Sequence, residues 1–225
     1  MGTVIGEFLP FAIGIAISPL PIIVVILTLL GSRARTSSLG FLIGFVFGIV
    51  GLITVLTVIA TLLPRNADAA PTVWSGILKL VLGALLLFFA VKQWHKRPKG
   101  DEAPELPGWM QKVDSMKFGG SLVLGLFLGV VNPKSLVLSA SVGADLAASG
   151  LAVDELVVAI AVFTAIAAST IVIPVVAYAV AARGLQAPLE SLHKWLARED
   201  HTIMCVLFVV LGFMTLGKGL GILWP

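Results

Sequence analysis

Three long stretches of this chain contain no charged side chain, and they constrain its fold more than any other feature. Residues 8–32, 36–64 and 156–182 lack Asp, Glu, Lys and Arg. Each is longer than the roughly 20 apolar residues that an α-helix needs to cross the hydrocarbon core of a bilayer. Only 12% of the whole chain is charged, whereas a soluble domain carries about 25%. The chain is therefore expected to be an all-α membrane protein.

Applied to the whole chain, the same criterion predicts six transmembrane helices. They cover, in order, about residues 4–30, 39–63, 74–93, 118–146, 156–180 and 202–222. Lys and Arg are concentrated in the loops at 31–38, 92–117 and 181–201, which hold 11 of the 15. Because cytoplasmic loops carry such an excess, we predict that these loops are cytoplasmic and that the N- and C-termini lie outside. The net charge of +3 then reflects membrane topology, and no nucleic-acid partner is predicted.

The predicted helices divide a single membrane domain into two repeats. Residues 1–93 hold the first three helices and residues 118–225 the other three, joined by a cytoplasmic linker at 94–117. Since each repeat has an odd number of helices, the two halves are expected to be inverted relative to each other. Apolar residues at helical spacing predict short interfacial helices at 109–117, within the linker, and at 186–198, before the last span.

Small residues recur where helices are expected to pack closely. In the second predicted helix, glycines lie at positions 40, 44, 48 and 51. The Val-Leu-Gly motif at 81–83 in the third helix is repeated at 210–212 in the sixth. Small residues allow the backbones of membrane helices to approach each other, so both patterns predict tight helix pairs.

Two of the predicted helices are interrupted by proline at matching positions. Proline lacks an amide N–H and clashes with the preceding turn, so a helix kinks or stops there. Interrupted helices at matching positions of inverted halves are a strong indicator of a transporter's binding site. We therefore predict a substrate site between the first and fourth helices. Its candidate residues are Ser18, Pro19, Pro21, Asn132, Pro133, Lys134 and Ser135.

Lys134 brings a positive charge to the break in the fourth helix. Ionisable side chains inside the membrane are costly and are typical of substrate or ion pathways. An ammonium beside the free backbone groups of two broken helices suits an anionic head group. The alternative is that Lys134 caps free carbonyl groups of the opposing broken helix. Ser18 and Asn132 either contact substrate or, in the simpler role, cap the half-helices that follow them.

Four other ionisable residues lie in or near the predicted spans. Glu7 and Lys79 are candidate proton or charge sites, because both lie within predicted helices. The alternatives are that Glu7 is exposed to water at the membrane edge and that Lys79 extends its ammonium to the interface. Lys218 is expected to extend in the same way, and Asp145 to be solvated at the outer end of the fourth helix.

The sequence contains no readable catalytic or metal-binding motif. Cys205 is its single cysteine, and the three histidines are not at ligand spacing. No glycine-rich phosphate loop and no Ser/His/Asp set is readable. We therefore predict no enzyme activity, no cofactor and no metal site.

Several short motifs occur together in this chain: Ser18-Pro19-Leu20-Pro21, Gly31-Ser-Arg-Ala-Arg35, the glycines of the second helix, Leu82-Gly83-Ala84-Leu85, Trp109-Met110 and Asn132-Pro133-Lys134. In this combination they resemble the GAP family, the peptidoglycolipid- and sulfolipid-addressing proteins of the lysine-exporter superfamily. The resemblance covers essentially the whole chain. It implies a six-helix inner-membrane protein of inverted repeats that aids export of small solutes or envelope glycolipids. Small-amino-acid exporters of the superfamily usually have Pro-Gly-Pro in the first helix, where this chain has Leu20, and this difference favours the lipid branch.

We therefore expect a multi-pass transporter of the bacterial plasma (inner) membrane that exports or translocates an envelope glycolipid or another amphipathic anionic substrate. Its expected partners are membrane lipids and the lipid or small-molecule substrate, with lipid-synthesis or export proteins as further candidates. Two other functions stay open: export of a small amino acid or metabolite, and a non-transporting scaffold for lipid-synthesis enzymes. The sequence also leaves a homodimer open.

Overall fold

The computed structural model of the protein describes residues 1–62, 73–97, 110–181, 184 and 186–224. Within these residues every regular element is a helix, as predicted. The α-helices are α1 (Gly2–Ala16), α2 (Pro19–Leu30), α3 (Ala34–Leu62), α4 (Val73–Lys96), α5 (Phe118–Val130), α6 (Pro133–Ala148), α7 (Val153–Ala181) and α8 (Gln186–Leu223). A short 3-10 helix covers Met110–Ser115.

Four of these helices, α3, α4, α7 and α8, are long and apolar enough to cross a membrane singly. The pairs α1–α2 and α5–α6 pass the same test together, and they are bent at a short break by 51° and 56° respectively. The described residues therefore hold four to six candidate spans, and six are obtained when each bent pair counts as one. This number of apolar helices identifies the chain as a multi-pass membrane protein.

The two breaks have the same local structure, because a proline begins the half-helix that follows each of them. Pro19 is the first residue of α2 and Pro133 is the first residue of α6. Proline disfavours the helical region for the residue before it, and Ser18 (φ −65°, ψ 112°) and Asn132 (φ −62°, ψ 116°) are both extended. These prolines therefore interrupt their spans as predicted, whereas Pro174 stays inside the continuous α7.

The last helix differs from the prediction. α8 is one helix of 38 residues, whereas the sequence pattern predicts an interfacial helix at 186–198 and a separate span from residue 202. Residues 189–211 contain no Gly or Pro, so nothing in the backbone ends the helix there. Because the helix is continuous, the charged residues around position 200 lie on α8 itself, directly before its apolar part.

The linker also packs differently from the prediction. Trp109 lies outside the described residues, and residues 110–115 form a 3-10 helix rather than an interfacial α-helix. Met110 and Val113 are buried in the core. The apolar side of this short helix therefore faces the protein instead of the bilayer.

Glycines hold α3 and α5 in close contact, as their spacing predicted. A Cβ atom on Gly40, Gly44 or Gly48 would meet backbone atoms of α5 at less than van der Waals distance. A Cβ atom on Gly125 or Gly129 of α5 would likewise meet backbone atoms of α3 at less than van der Waals distance. The pair is therefore packed backbone against backbone.

Glycines also pack α4 against α8. A Cβ atom on Gly212 would lie 3.3 Å from the carbonyl oxygen of Gly83, and one on Gly219 would lie 3.0 Å from that of Gly76. The two Val-Leu-Gly motifs thus meet each other in the structure. The α4–α8 pair forms one side of the cavity described next.

Candidate functional site

A cavity of about 270 Å³ lies between α2, α4, α6 and α8. Its wall is formed by Leu20, Phe89, Lys92, Gln93, Lys96, Asn132, Pro133, Lys134, Asp200, Met204 and Phe208. The break between α5 and α6 thus contributes three of the predicted residues, and the break between α1 and α2 contributes the neighbouring Leu20. The remaining predicted residues are buried but are not part of the wall: Ser18, Pro19, Pro21 and Ser135.

Lys134 is the buried charge of this cavity. The residue is 2% exposed. Among the described residues, its ammonium has one hydrogen-bonding neighbour, the Sδ atom of Met204 at 3.6 Å. A thioether is a weak acceptor, whereas buried charges are normally paired with strongly polar groups. Lys134 therefore keeps hydrogen-bonding capacity for a group that enters the cavity.

The capping role considered for Lys134 is not observed. In the described part of the chain, no hydrogen bond joins its ammonium to a carbonyl group of α1 or α2. Instead, the Oγ1 of Thr170 on α7 donates to the carbonyl oxygen of Ala16 at 2.6 Å, at the end of α1. The carbonyl group of Ala16 at the first break is thus hydrogen-bonded by a neutral side chain. Lys134 does not bond it and lines the cavity.

The two residues predicted to cap half-helices behave differently. The Oδ1 of Asn132 accepts a hydrogen bond from the backbone N–H of Lys134 at 3.1 Å, which confirms the cap on α6. The capping alternative is wrong for Ser18, whose Oγ is buried and has no hydrogen-bond partner among the described residues. A capping side chain bonds the N–H of the second or third helical residue. In α2 the third residue is Pro21, which has no N–H, so one of these two donors is missing.

Three charged residues outside the predicted site share the cavity wall with Lys134. Lys92 and Lys96 lie one turn apart on α4 and are exposed at the rim of the cavity. Asp200 of α8 lies in the wall and interacts electrostatically with Lys134. The sequence places Asp200 one helical turn before Met204, which indicates a shared face. It does not indicate which helix that face meets.

A second group of charges lies toward the other ends of α4, α6 and α8, and we call it the four-charge cluster. The Nζ of Lys79 is 2.5 Å from Oδ1 of Asp145, and the Nζ of Lys218 is 3.1 Å from Oδ2 of the same carboxylate. Lys218 is also 3.7 Å from Oε2 of Glu7, which is half-exposed. The side chains of Lys79 and Asp145 are only 11% and 10% exposed.

The cluster corrects three sequence-based expectations. Asp145 is not solvated, and Lys79 and Lys218 do not extend alone to the interface, because the three side chains pair with one another. Each partner comes from a different helix. An ion pair of this kind between distant parts of the chain has no signal in local sequence.

The cavity combines ammonium groups, an amide and apolar side chains. Charge-assisted hydrogen bonds from ammonium groups are suited to carboxylate, sulfate or phosphate oxygens. Leu20, Phe89 and Phe208 add an apolar surface to the same wall. In the part of the chain that the structure describes, no three His, Cys, Asp or Glu side chains are grouped to hold a metal ion. The arrangement can bind the anionic end of an amphipathic molecule.

Comparison with known proteins points to one family. The family described as "Sap, sulfolipid-1-addressing protein" matches residues 8–221. A protein named peptidoglycolipid exporter Gap, from Mycolicibacterium smegmatis, is 33% identical over 106 residues. That match covers 46% of this chain and 38% of the relative, so the chain matches well under half of that protein's length. No solved structure matches the chain significantly.

Proposed function

The chain belongs to the sulfolipid-1-addressing protein family, and on that basis we propose that it exports or translocates an amphipathic envelope lipid with an anionic or glycosylated head group. The observation that carries the proposal is Lys134, a buried ammonium that faces a cavity and has only a thioether as its hydrogen-bonding neighbour among the described residues. An anionic head group would supply the missing partner. The name of the mycobacterial relative, a peptidoglycolipid exporter, supports the same class of cargo.

The size of the cavity supports binding of a head group, with the acyl chains left in the bilayer. Its volume of about 270 Å³ lies just below the roughly 300–1,000 Å³ of typical small-molecule sites. A sulfate group or a sugar ring fits such a volume, and a whole lipid does not. The apolar side chains of Leu20, Phe89 and Phe208 would contact the apolar part of the lipid next to its head group.

The rim of the cavity supports access from the cytoplasmic leaflet. Under the topology predicted from the loop charges, Lys92 and Lys96 lie at the cytoplasmic end of α4. Basic residues at this surface attract anionic lipids by about 1 kcal/mol each. An anionic head group would therefore meet Lys96 and Lys92 before it reaches Lys134.

Two features support the inverted repeats that the sequence predicted. The breaks before Pro19 and Pro133 have nearly the same backbone angles and similar bends. The repeated Val-Leu-Gly motifs meet where α4 packs on α8. In transporters built from such repeats, one half rocks against the other around a site near the middle of the membrane.

The four-charge cluster would close the outer side of the protein while the cavity is open to the cytoplasm. Asp145 of α6 pairs with Lys79 of α4 and Lys218 of α8, and Lys218 also pairs with Glu7 of α1. These helices come from both predicted repeats. Release of cargo on the outer side would require these ion pairs to separate.

Replacing Asp145 by asparagine is expected to destabilise the protein by about 3 kcal/mol, because it leaves two partly buried ammonium groups without their shared carboxylate. Thermal unfolding of the purified protein in detergent measures the change. The matched control is Asp154→Asn, since Asp154 is exposed in the first turn of α7. Adding Lys79→Met to Asp145→Asn is expected to recover part of the loss. Equal unfolding temperatures for Asp145→Asn and wild type would show that the cluster does not hold these helices together.

Export of a small amino acid or metabolite is the second candidate function. The observation that favours it is the small volume of the cavity, whose wall carries charges of both signs, on Lys134 and Asp200. The apolar side chains in the wall favour the lipid.

Reconstitution into liposomes tests the proposed function. The probes are sulfatide and phosphatidylcholine, each with an NBD fluorophore on its acyl chain, and dithionite, which bleaches the outer leaflet only. The protein is expected to bring inner-leaflet sulfatide to the outer leaflet faster than phosphatidylcholine, while protein-free liposomes protect both. If neither lipid moves faster than in protein-free liposomes, the proposal is wrong. Efflux of radiolabelled lysine would then favour the amino-acid exporter, and co-purification of a lipid synthase would favour the scaffold.

A further inference from the structure

Asp200 is the acidic residue in the wall of the cavity. Binding of an anion, as proposed above, does not explain why a carboxylate lies in this wall. The sequence places it on α8 one turn before Met204, the residue that contacts Lys134. Its Oδ1 atom is buried and has no hydrogen-bond partner in the described part of the chain. A carboxylate oxygen in this position is costly unless a donor reaches it.

The neighbouring side chains do not supply that donor in the described structure. The ammonium of Lys134 has its contact with Met204 instead. The ring of His201, which also interacts electrostatically with Asp200, pairs through its Nδ1 with Oε1 of Gln93 at 3.1 Å. Asp200 and Lys134 therefore both line the same cavity, and each has a polar group that lacks a strong hydrogen-bond partner in the described part of the chain.

A purely anionic head group fits this pair poorly. It would be attracted by Lys134 and repelled by Asp200, and it would leave the buried oxygen without a donor. A head group with an acidic group and a neighbouring hydroxyl or amine would satisfy both side chains at once. A site with a buried polar group rejects a ligand that lacks the complementary group, because the protein group stays unpaired.

We propose that Asp200 selects the cargo by accepting a hydrogen bond from a hydroxyl or amine that lies beside the anionic group bound by Lys134. This inference rests on the proposed function and names its cargo class more narrowly: anionic lipids with a hydrogen-bond donor on the head group. A simpler role for Asp200 is that of a counter-charge that positions the ammonium of Lys134. If Asp200 selects the cargo, the transport rate depends on the hydrogen-bond donor of the lipid head group. If Asp200 only positions Lys134, the rate does not depend on that donor.

The experiment compares phosphatidylglycerol with phosphatidylpropanol, both carrying NBD on an acyl chain, in the liposome assay. The two lipids have the same charge and a three-carbon head group, and only the first has head-group hydroxyls. Wild type is expected to translocate phosphatidylglycerol about tenfold faster, the ratio expected from one hydrogen bond to a charged group. Asp200→Ala is expected to bring the ratio close to one by slowing phosphatidylglycerol, and Asp200→Asn to give an intermediate ratio. Glu199→Gln is the matched control, because Glu199 is the preceding carboxylate on α8 and is not in the cavity wall.

Each other outcome contradicts a defined part of the proposal. Equal rates for the two lipids in wild type would overturn the role of Asp200 and leave lipid transport intact. An equal slowing of both lipids in Asp200→Ala and Asp200→Asn would assign Asp200 to positioning Lys134 and would overturn selection. If sulfatide moves but neither phospholipid does, the inferred cargo class is wrong. If none of the three lipids moves, the proposed function itself fails.

Discussion

Replacing Lys134 by methionine is expected to lower the rate of lipid translocation by about 100-fold while the protein stays folded. The head group would lose its charge-assisted partner, and truncating one member of such a buried pair costs about 2–5 kcal/mol. Methionine has a similar length and is apolar, so it fills the space beside Met204. Removing a poorly paired buried charge is often neutral or stabilising, so the unfolding temperature should stay the same or rise. Translocation in liposomes and thermal unfolding in detergent measure the two effects.

The combination of these results separates a binding role from a structural one. Lys117→Met is the matched control, because Lys117 is exposed beside the start of α5 and lies outside the cavity wall. It is expected to transport at the wild-type rate. Intact transport by Lys134→Met would contradict the proposed site. A large fall in its unfolding temperature would show instead that the ammonium stabilises the fold.

Replacing Gly44 by leucine is expected to prevent normal assembly of α3 with α5. Even the first atom of a side chain there would overlap the backbone around Leu122. A backbone inside a helix cannot move aside without separating the whole helix pair, so the cost should reach about 3 kcal/mol or more. The expected result is a low yield of monodisperse protein in detergent. The fraction that can be purified is expected to unfold at a clearly lower temperature.

Gly51 provides the control on the same helix. A Cβ atom there would have no neighbour within 4 Å, so Gly51→Leu adds an apolar side chain to an open surface. It is expected to leave yield and unfolding temperature close to wild type. Similar losses for both substitutions would mean that the α3–α5 contact is not as close as the structure describes. The loss would then come from replacing any glycine of α3.

The helical class and the two breaks could be predicted because their causes act over a few residues. Apolar runs of sufficient length have to be helical in a bilayer, since a helix satisfies its own backbone groups. Pro19 and Pro133 act on the residue before them and on the preceding turn. The α3 glycines could be predicted as a packing face for the same kind of reason, because their four-residue spacing puts them on one side of a helix.

Errors occurred where a residue's role depends on a partner elsewhere in the chain. Asp145 reads as a solvated residue near a helix end, and only the approach of α4 and α8 makes it the shared partner of Lys79 and Lys218. Ser18 reads as a helix cap, although Pro21 removes one of the donors that such a cap uses. Asp200 was counted with a cytoplasmic segment, and the uninterrupted α8 brings it into the cavity wall.

Local chemistry was therefore sufficient for the membrane class, the apolar segments and the positions of both bends. The cavity, the partners of its charges and the four-charge cluster required the packed molecule. The physical reason is that hydrophobicity and proline act on their own segment. A contact between helices depends on how far each helix is rotated about its axis and on how closely two backbones approach, and glycines on α3, α4, α5 and α8 set those distances.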